Sequence, residues 1–205
     1  MSVGFYGCLR VSEYLAGRDR SKALRLCDVE WASAPVGLPP AELGRWVQDH
    51  QPQFVVLSLR NAKTSRPGEV QRIRFSRLPP QDAAVCPVRL MAGYLATRVA
   101  LAGCSVTSPL FVLPSGQPPK LSWFNIAITR LARGCGEREP WRFTSHSLRI
   151  GAATTATAQG ATPDEVMALG RWRSAAYQVY VSESARLAAA GKARTRLATE
   201  PASAV

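Results

Sequence analysis

The sequence predicts an α+β domain, in which a small three-stranded antiparallel sheet lies beside a mainly helical body. Two observations lead to this class. Segments that alternate apolar and polar side chains, as half-buried strands do, fall within the first 75 residues, and segments with helical spacing of apolar side chains dominate after residue 85. Strands followed by helices, rather than strands alternating with helices, are typical of α+β domains.

The first 52 residues predict a helix, a strand and a loop. Apolar side chains at helical spacing predict a helix over residues 3–17, and alternation predicts the first strand over residues 24–31. Residues 33–52 are rich in proline, which predicts a loop with at most one helical turn around residues 41–48.

A β-hairpin is predicted next. Residues 54–59 are apolar and rich in β-branched side chains, and residues 69–75 alternate cleanly. The segment between them, residues 61–68, contains turn-forming residues and basic side chains. These segments complete the three strands of the predicted sheet.

The rest of the chain predicts five helices and a tail. The helices are expected over residues 86–102, 121–133, 146–159, 163–169 and 174–189. Residues 191–205 are small, polar and basic and predict a disordered tail, so that the domain is expected to span residues 1–190.

The charge of the chain is strongly asymmetric. Its net charge is +12, and residues 1–50 contain equal numbers of basic and acidic side chains, so the whole excess lies after residue 50. Such an excess favours nucleic acid as a partner, although basic side chains can also serve only to keep a surface soluble.

Metal binding, membrane insertion and secretion find little support in the composition. The five cysteines form no C-x-x-C pair and only two histidines are present, so no metal site is expected. The scattered cysteines predict buried thiols in a reducing, intracellular compartment. No apolar run has the length of a membrane span, and the start of the chain is not a signal peptide; its abrupt beginning suggests missing upstream sequence.

Three local patterns could carry chemistry. His146 and Arg149 are three apart at a predicted helix start, where a phosphate could bind both side chains. Arg10 and Glu13 are also three apart, and an arginine in so apolar a segment needs an anionic partner: Glu13, a phosphate or both. Each pair could equally be an ordinary surface pair on a helix.

The third pattern contains two tyrosines, Tyr177 and Tyr180, three residues apart and shortly after L-G-R-W (residues 169–172). Aromatic residues at this spacing are commonly core residues of a helix. The pattern acquires a functional meaning only through its place in the whole sequence.

Taken in order, the segments resemble the tyrosine recombinase (phage integrase) family. That family has an arginine, a lysine, an H-x-x-R motif, a histidine or tryptophan, and a tyrosine, and this chain has matching motifs from residue 7 to residue 180. They are G-C-L-R-V-S-E (7–13), A-K-T (62–64), H-S-L-R (146–149), L-G-R-W (169–172) and Tyr180. The longer forms H-S-L-R-I-G-A-A-T and G-R-W-R-S are similar to recombinases of eukaryotic mobile elements.

The resemblance implies a role for each matching residue. Arg10 and Arg149 would stabilise the charge that develops on the attacked phosphate. Lys63 would protonate the leaving 5′ oxygen, His146 would exchange a proton with the tyrosine or contact the phosphate, and Glu13 would support the site.

The resemblance also selects the nucleophile. The family residue after the glycine lies nine positions before the attacking tyrosine, and nine positions before Tyr180 is Arg171, directly after Gly170. The same count from Tyr177 matches nothing. Arg171 replaces the usual histidine or tryptophan, so either Arg171 supplies a third cation to the phosphate or Trp172 packs against Tyr180. We favour Arg171 as a catalytic contact of the phosphate and Trp172 as a supporting residue that packs.

Basic side chains of the hairpin form a second candidate site. Arg60, Arg66, Arg72 and Arg74 are expected to contact the DNA backbone, although charge on a strand can also serve to prevent edge-to-edge aggregation.

The expected function is therefore the breaking and rejoining of double-stranded DNA in site-specific recombination or integration, through a 3′-phosphotyrosyl intermediate. The resemblance implies no cofactor, no metal ion, four copies assembled on DNA, location with the DNA of a nucleus or nucleoid, and an N-terminal DNA-clamping domain that this chain lacks. Two alternatives stay open: DNA relaxation of the type IB topoisomerase kind, and a catalytically inactive DNA-binding remnant of a mobile element.

Overall fold

A three-stranded antiparallel sheet and a larger set of helices form the described part of the chain. The computed structural model describes residues 1–15, 23–60, 68–101, 104–181, 189–190 and 192. The strands are β1 (Val29–Trp31), β2 (Phe54–Leu59) and β3 (Gln71–Ser76), in the order β1-β2-β3. The predicted α+β class is thereby confirmed.

The register of β2 and β3 separates an apolar face from a basic one. Val55 pairs with Phe75, and these side chains are buried. Val56 pairs with Arg74 on the opposite face, where the arginine is exposed. A shift of one residue would exchange the two faces, so the burial of the apolar face holds the register.

Seven α-helices and four short 3-10 helices occur in the described residues. The α-helices are α1 (Ser2–Tyr6), α2 (Val11–Tyr14), α3 (Pro40–His50), α4 (Pro87–Val99), α5 (Leu121–Gly134), α6 (Ser145–Ala158) and α7 (Pro163–Gly170). The 3-10 helices are Leu26–Asp28, Pro80–Asp82, Pro140–Arg142 and Ala175–Tyr180. The hairpin strands and α4 to α7 confirm the predicted elements to within a few residues. None of the helices in these described ranges has the length and hydrophobicity required to span a bilayer.

The predicted helix over residues 3–17 is wrong in its middle. The chain leaves the helix after Tyr6, and Cys8 adopts a left-handed conformation with φ of 45°. Cys8 and Leu9 are completely buried there, and a side chain at Gly7 would meet the ring of Phe75 at 2.8 Å. Tertiary packing therefore breaks the helix, and residues 16 and 17 lie outside the described ranges.

Two predictions in the next segment are also wrong. Residues 24–28 do not belong to a strand: Leu26 and Cys27 donate their backbone N–H groups to the loop carbonyls of Ser108 and Val106, and only residues 29–31 join the sheet. Residues 40–50 form a full helix. Its first proline does not prevent this, because the N–H group that a proline lacks in the first helical turn would make no helical hydrogen bond.

The predictions for the cysteines and for the C-terminal helix are confirmed only in part. Cys8 and Cys86 are buried thiols as predicted, whereas Cys27 and Cys135 are exposed. The α-helix predicted over residues 174–189 is wrong at its start, where residues 175–180 form a 3-10 helix; residues 182–188 lie outside the described ranges. Of the predicted tail, only residue 192 is described.

Two hydrophobic clusters meet at α6. The larger lies between the sheet and the helices α4 and α5, and Leu148 of α6 packs against it. The smaller contains Ala153 of α6 together with Val166, Tyr177 and Val181. Because α6 contacts both clusters, it carries His146 and Arg149 between the N-terminal turn and the C-terminal segment.

Candidate active site

The candidate site lies where four segments meet. They are the turn of residues 7–10, α6, the end of α7 at residues 170–172, and the 3-10 helix of residues 175–180. The turn of residues 7–10 is far in sequence from the other three segments, and the side chains of Arg149 and Arg171 join it to α6 and to the end of α7.

Arg149 is at the centre of this junction. It is 1% exposed, and it donates from Nη1 to the Cys8 carbonyl oxygen and from Nη2 to the Gly170 carbonyl oxygen at 2.6 Å. The ring of Trp172 covers its guanidinium, with 4.2 Å between Cζ and the ring centroid. Burial lowers the pKa of Arg149 from its ordinary value.

Two further cations, Arg10 and Arg171, and the carboxylate of Glu13 hold the N-terminal turn. Glu13, almost completely buried, accepts from Arg10 Nη1 at 3.1 Å and from Arg171 Nη2 at 2.6 Å. It also accepts the backbone N–H of Arg10 at 2.8 Å, which caps the start of α2. Glu13 is therefore an anionic partner of Arg10, as one of the sequence-based alternatives expected.

The cluster retains excess positive charge. Three guanidiniums, from Arg10, Arg149 and Arg171, surround one carboxylate, so the described side chains leave two positive charges uncompensated. Arg10, with 23% of its side chain exposed, is the most accessible of the three; Arg171 is 12% exposed. Such a cluster is suited to binding an anion such as a phosphate diester.

Tyr180 lies beside this cluster, whereas Tyr177 lies in the core. The half-buried ring of Tyr180 is 5.2 Å from the His146 ring and 5.5 Å from the Trp172 ring, measured between centroids. Tyr177 is 8% exposed and belongs to the smaller hydrophobic cluster. The structure therefore separates the two tyrosines that the sequence placed three residues apart.

Thr154 is a contributor that the sequence did not reveal. Its hydroxyl donates to the Tyr180 carbonyl oxygen at 2.8 Å and attaches the end of the 3-10 helix to α6. Thr154 lies in a run of small helical residues, and no sequence pattern there predicts such a contact.

His146 is exposed at the start of α6. Thr144 caps this helix, and its Oγ1 accepts from the His146 backbone N–H at 3.3 Å. The cap fixes the backbone at His146, and the exposed imidazole lies next to the Tyr180 ring.

The hairpin arginines that the structure describes do not join the cluster. Arg60 pairs with Asp28 at 2.5 Å, Arg72 pairs with Glu30, and Arg74 stacks on the ring of Phe54 at 3.8 Å. Lys63 and Arg66 lie outside the described residues. No group of three or more potential metal ligands occurs in the described ranges.

Comparisons with known proteins identify the fold. Neither a family model nor a curated protein matches the sequence. Among solved structures, XerA recombinase matches with a TM-score of 0.58 and 19% identity over 98% of this chain and 57% of that chain. XerH site-specific recombinase bound to its difH substrate matches with a TM-score of 0.57 and 12% identity over 87% of this chain and 40% of that chain.

A third match is the Tn1549 transposon integrase in complex with transposon right end DNA, with a TM-score of 0.50 and 16% identity over 96% of this chain and 57% of that chain. The chain thus spans about 40 to 57% of the length of these proteins. At such low identity the likeness establishes the fold, and this chain has the fold of the tyrosine recombinases.

Proposed function

We propose that this chain breaks and rejoins DNA, with Tyr180 as the nucleophile, in site-specific recombination or integration. The observation that carries the proposal is the position of the Tyr180 ring, which contacts His146 on one side and, through Trp172, lies next to the buried Arg149. A phenol is a weak nucleophile until it loses its proton, and neighbouring positive charge stabilises the phenolate.

In the proposed reaction, the phenolic oxygen of Tyr180 attacks a DNA phosphorus. A 3′-phosphotyrosyl bond forms as the bond to the 5′ oxygen breaks. The phenol transfers its proton to a base, for which His146 is the candidate, and the 5′ oxygen takes a proton, which we assign to Lys63. A 5′ hydroxyl of a second strand then attacks the phosphotyrosine and regenerates Tyr180. Because one phosphodiester replaces another, the exchange needs no nucleotide cofactor.

Arg10 and Arg149 are the proposed ligands of the phosphate oxygens. Arg10 is accessible as the site stands. Arg149 is covered by Trp172, so a direct contact with phosphate requires this ring to move when DNA binds. Even without that contact, the buried charge of Arg149 would stabilise negative charge on the phosphate and on Tyr180.

Double-stranded DNA is the proposed partner. XerH and the Tn1549 integrase were both solved with DNA, and this chain carries its excess charge after residue 50. We assign backbone contacts to Arg60, Arg66, Arg72 and Arg74, where phosphates would compete with Asp28 and Glu30. Residues 1–190 would form the catalytic domain, and four copies would assemble on two DNA duplexes.

A trapping experiment tests the proposal. A pool of nicked duplexes with randomised sequence would be incubated with the protein, because a nick close to the cleaved phosphate lets the short strand diffuse away and preserves the covalent adduct. We expect a protein–DNA band that survives denaturing electrophoresis, and its loss in Tyr180→Phe. Tyr177→Phe is the matched control and should retain it.

The outcomes separate the alternatives. If the wild-type protein forms no adduct but binds DNA, it is an inactive DNA-binding remnant. If it forms the adduct and relaxes supercoiled plasmid, yet never joins two differently labelled duplexes, the reaction is that of a topoisomerase. An adduct that persists in Tyr180→Phe would transfer the nucleophile assignment to another residue.

A further inference from the structure

We propose that Arg171 is a positioning residue, which braces the turn carrying Arg10 against the segment carrying Tyr180, and is not a ligand of the DNA phosphate. This inference rests on the proposed function. It assigns a role to the residue at which the chain departs from the histidine or tryptophan of the resemblance.

The contacts of Arg171 point back into the protein. Its Nη1 donates to the Gly7 carbonyl oxygen at 3.0 Å and its Nη2 donates to Glu13 Oε2 at 2.6 Å. Both acceptors lie at the other end of the chain. Arg171 therefore fastens the end of α7 to the N-terminal turn, which α2 follows.

The charge of Arg171 is already matched inside the protein. Glu13 has 2% of its side chain exposed, and its other oxygen accepts from Arg10 at 3.1 Å. A carboxylate held from two sides keeps Arg10 in one orientation. If Arg171 were lost, Glu13 would keep only the flexible Arg10 as its side-chain partner, and Arg10 would lose the fixed acceptor that orients it.

The backbone conformation at Arg171 points the side chains of Arg171 and Trp172 towards different partners. Arg171 has φ of 55°, and the N–H groups of Arg171 and Trp172 donate to the carbonyl oxygens of Ala168 and Met167, which closes α7 in the manner usually seen with glycine or asparagine. As a result, Arg171 points to Glu13, and Trp172 lies over Gly170 against Arg149 and Tyr180. The brace on Arg171 therefore also holds the ring that packs on the nucleophile.

One side-chain nitrogen of Arg171 makes no such contact. Within the described residues its Nε is buried without a hydrogen-bond partner. The Arg171 side chain is also 12% exposed, so the test must separate a role in neutralising phosphate charge from a role in holding the protein.

A methylphosphonate linkage in the DNA distinguishes a phosphate-binding role from a positioning role. It replaces one charged non-bridging oxygen by a methyl group and so removes the charge that a phosphate-binding cation neutralises. The sequence selected from the nicked pool would be prepared with either linkage at the cleaved position, and the rate of adduct formation would be measured for each variant.

We expect Arg10→Ala to slow cleavage of the phosphate by about 100-fold and to recover at least about tenfold with the methylphosphonate. We expect Arg171→Ala to be slower by about 100-fold on the phosphate, since a small displacement of reacting groups costs about this much, and to recover less than Arg10→Ala with the methylphosphonate. The methylphosphonate relieves only the part of the defect that comes from a displaced Arg10, and the displacement of Trp172 and Tyr180 remains. Recovery of Arg171→Ala as large as that of Arg10→Ala would overturn the proposal. Arg142→Ala, an exposed arginine whose partner is Glu139, is the control and should react like the wild type.

A double-mutant cycle gives the second measurement. If Arg171 acts through Glu13, the variant with both Glu13→Ala and Arg171→Ala should be no slower than Glu13→Ala alone. Losses that multiply would overturn the proposal.

Arg171→Lys serves if Arg171→Ala shows no cooperative thermal unfolding. Lysine keeps the charge but has one ammonium group that cannot replace the guanidinium fork between Gly7 and Glu13. A positioning role predicts a defect on both linkages, and activity near wild type would contradict it. Failure of the wild-type protein to form an adduct would instead defeat the proposed function itself.

Discussion

At the scale of single residues, Trp172 connects the buried charge of the site to its proposed nucleophile. Its ring lies on the guanidinium of Arg149 and against Tyr180, and it occupies the space above Gly170, which would admit no side chain there. A desolvated cation–π contact stabilises a structure by about 2 kcal/mol. The ring thus contributes to stability and to the position of Tyr180 at once.

We expect Trp172→Ala to lower the free energy of unfolding by about 3 kcal/mol, because it removes this contact and leaves a cavity beside Arg149. Trp172→Phe keeps an aromatic face and should lose less than half as much. Chemical denaturation of both variants measures the difference. Equal stability of wild type and Trp172→Ala would show that the ring is not a structural cover for Arg149.

Cys8 should make the protein sensitive to alkaline pH. The thiol is completely buried, and burial raises its pKa above the ordinary value, although nearby arginines act in the opposite direction. A thiol with a raised pKa in the folded state stabilises the protein below the ordinary thiol pKa of about 8.5, and this contribution is lost as the pH rises through the folded value.

The free energy of unfolding should therefore fall between pH 7.5 and about 9.5 in the wild-type protein. In Cys8→Ala the decrease over the same interval should be smaller. Denaturation curves at the two pH values provide the measurement, and an identical decrease in both proteins would contradict the assignment to Cys8.

At the scale of elements, the packing of α3 against α4 depends on one glycine. A Cβ atom at Gly44 would be 2.6 Å from a methyl group of Val99, whereas the space around Gly93 of α4 is open. The two glycines therefore form a matched pair, in which the same substitution on neighbouring helices should have opposite effects.

We expect Gly44→Ala to destabilise the fold by about 1 kcal/mol. The clash costs about 2 kcal/mol, and the better helix propensity of alanine returns about 1 kcal/mol. Gly93→Ala has only the propensity gain and should stabilise by about 0.5–1 kcal/mol. Thermal denaturation of the two variants tests this, and destabilisation by both would indicate that helix packing is not the cause.

The helices and strands also show where the sequence pattern alone predicts the local structure correctly. The helices α4 to α7 and the strand β3 follow their apolar periodicity, because each buries a single face, whereas β2 is a continuous apolar run with buried residues on both faces. The predicted helix of residues 3–17 was wrong in its middle, because Cys8 and Leu9 are buried there. The predicted strand of residues 24–31 was wrong over residues 24–28, where the backbone pairs with the loop at Ser108. Such contacts join segments that are distant in sequence.

At the scale of the whole molecule, the separation of charge along the chain should govern DNA affinity. The net charge of +12 lies entirely after residue 50, and phosphate contacts release counterions from DNA. If the protein contacts about six phosphates, its affinity for duplex DNA should fall about 1,000-fold between 50 and 200 mM salt.

Single substitutions should show which region of the chain causes the salt dependence of DNA binding. Arg72→Ala should reduce the slope of log Kd against log salt concentration by about one, the amount expected from one phosphate contact. Arg45→Ala, on the exposed face of α3 within the neutral first 50 residues, should leave the slope unchanged. Binding titrations at several salt concentrations measure the slopes, and a slope near zero for the wild type would exclude a phosphate-led contact.

The sequence alone determined the fold class, because apolar periodicity is a property of the linear chain. Motif order and spacing, through the resemblance to the tyrosine recombinases, also selected Arg10, His146, Arg149 and Tyr180 as candidate site residues, and their roles stay predictions. The tertiary structure decided what each side chain contacts: Glu13 lies between Arg10 and Arg171, and Trp172 covers Arg149. The Glu13–Arg171 pair joins opposite ends of the chain, and Trp172 and Arg149 come from separate segments. A local sequence pattern carries no information on how segments that are separate in sequence pack together.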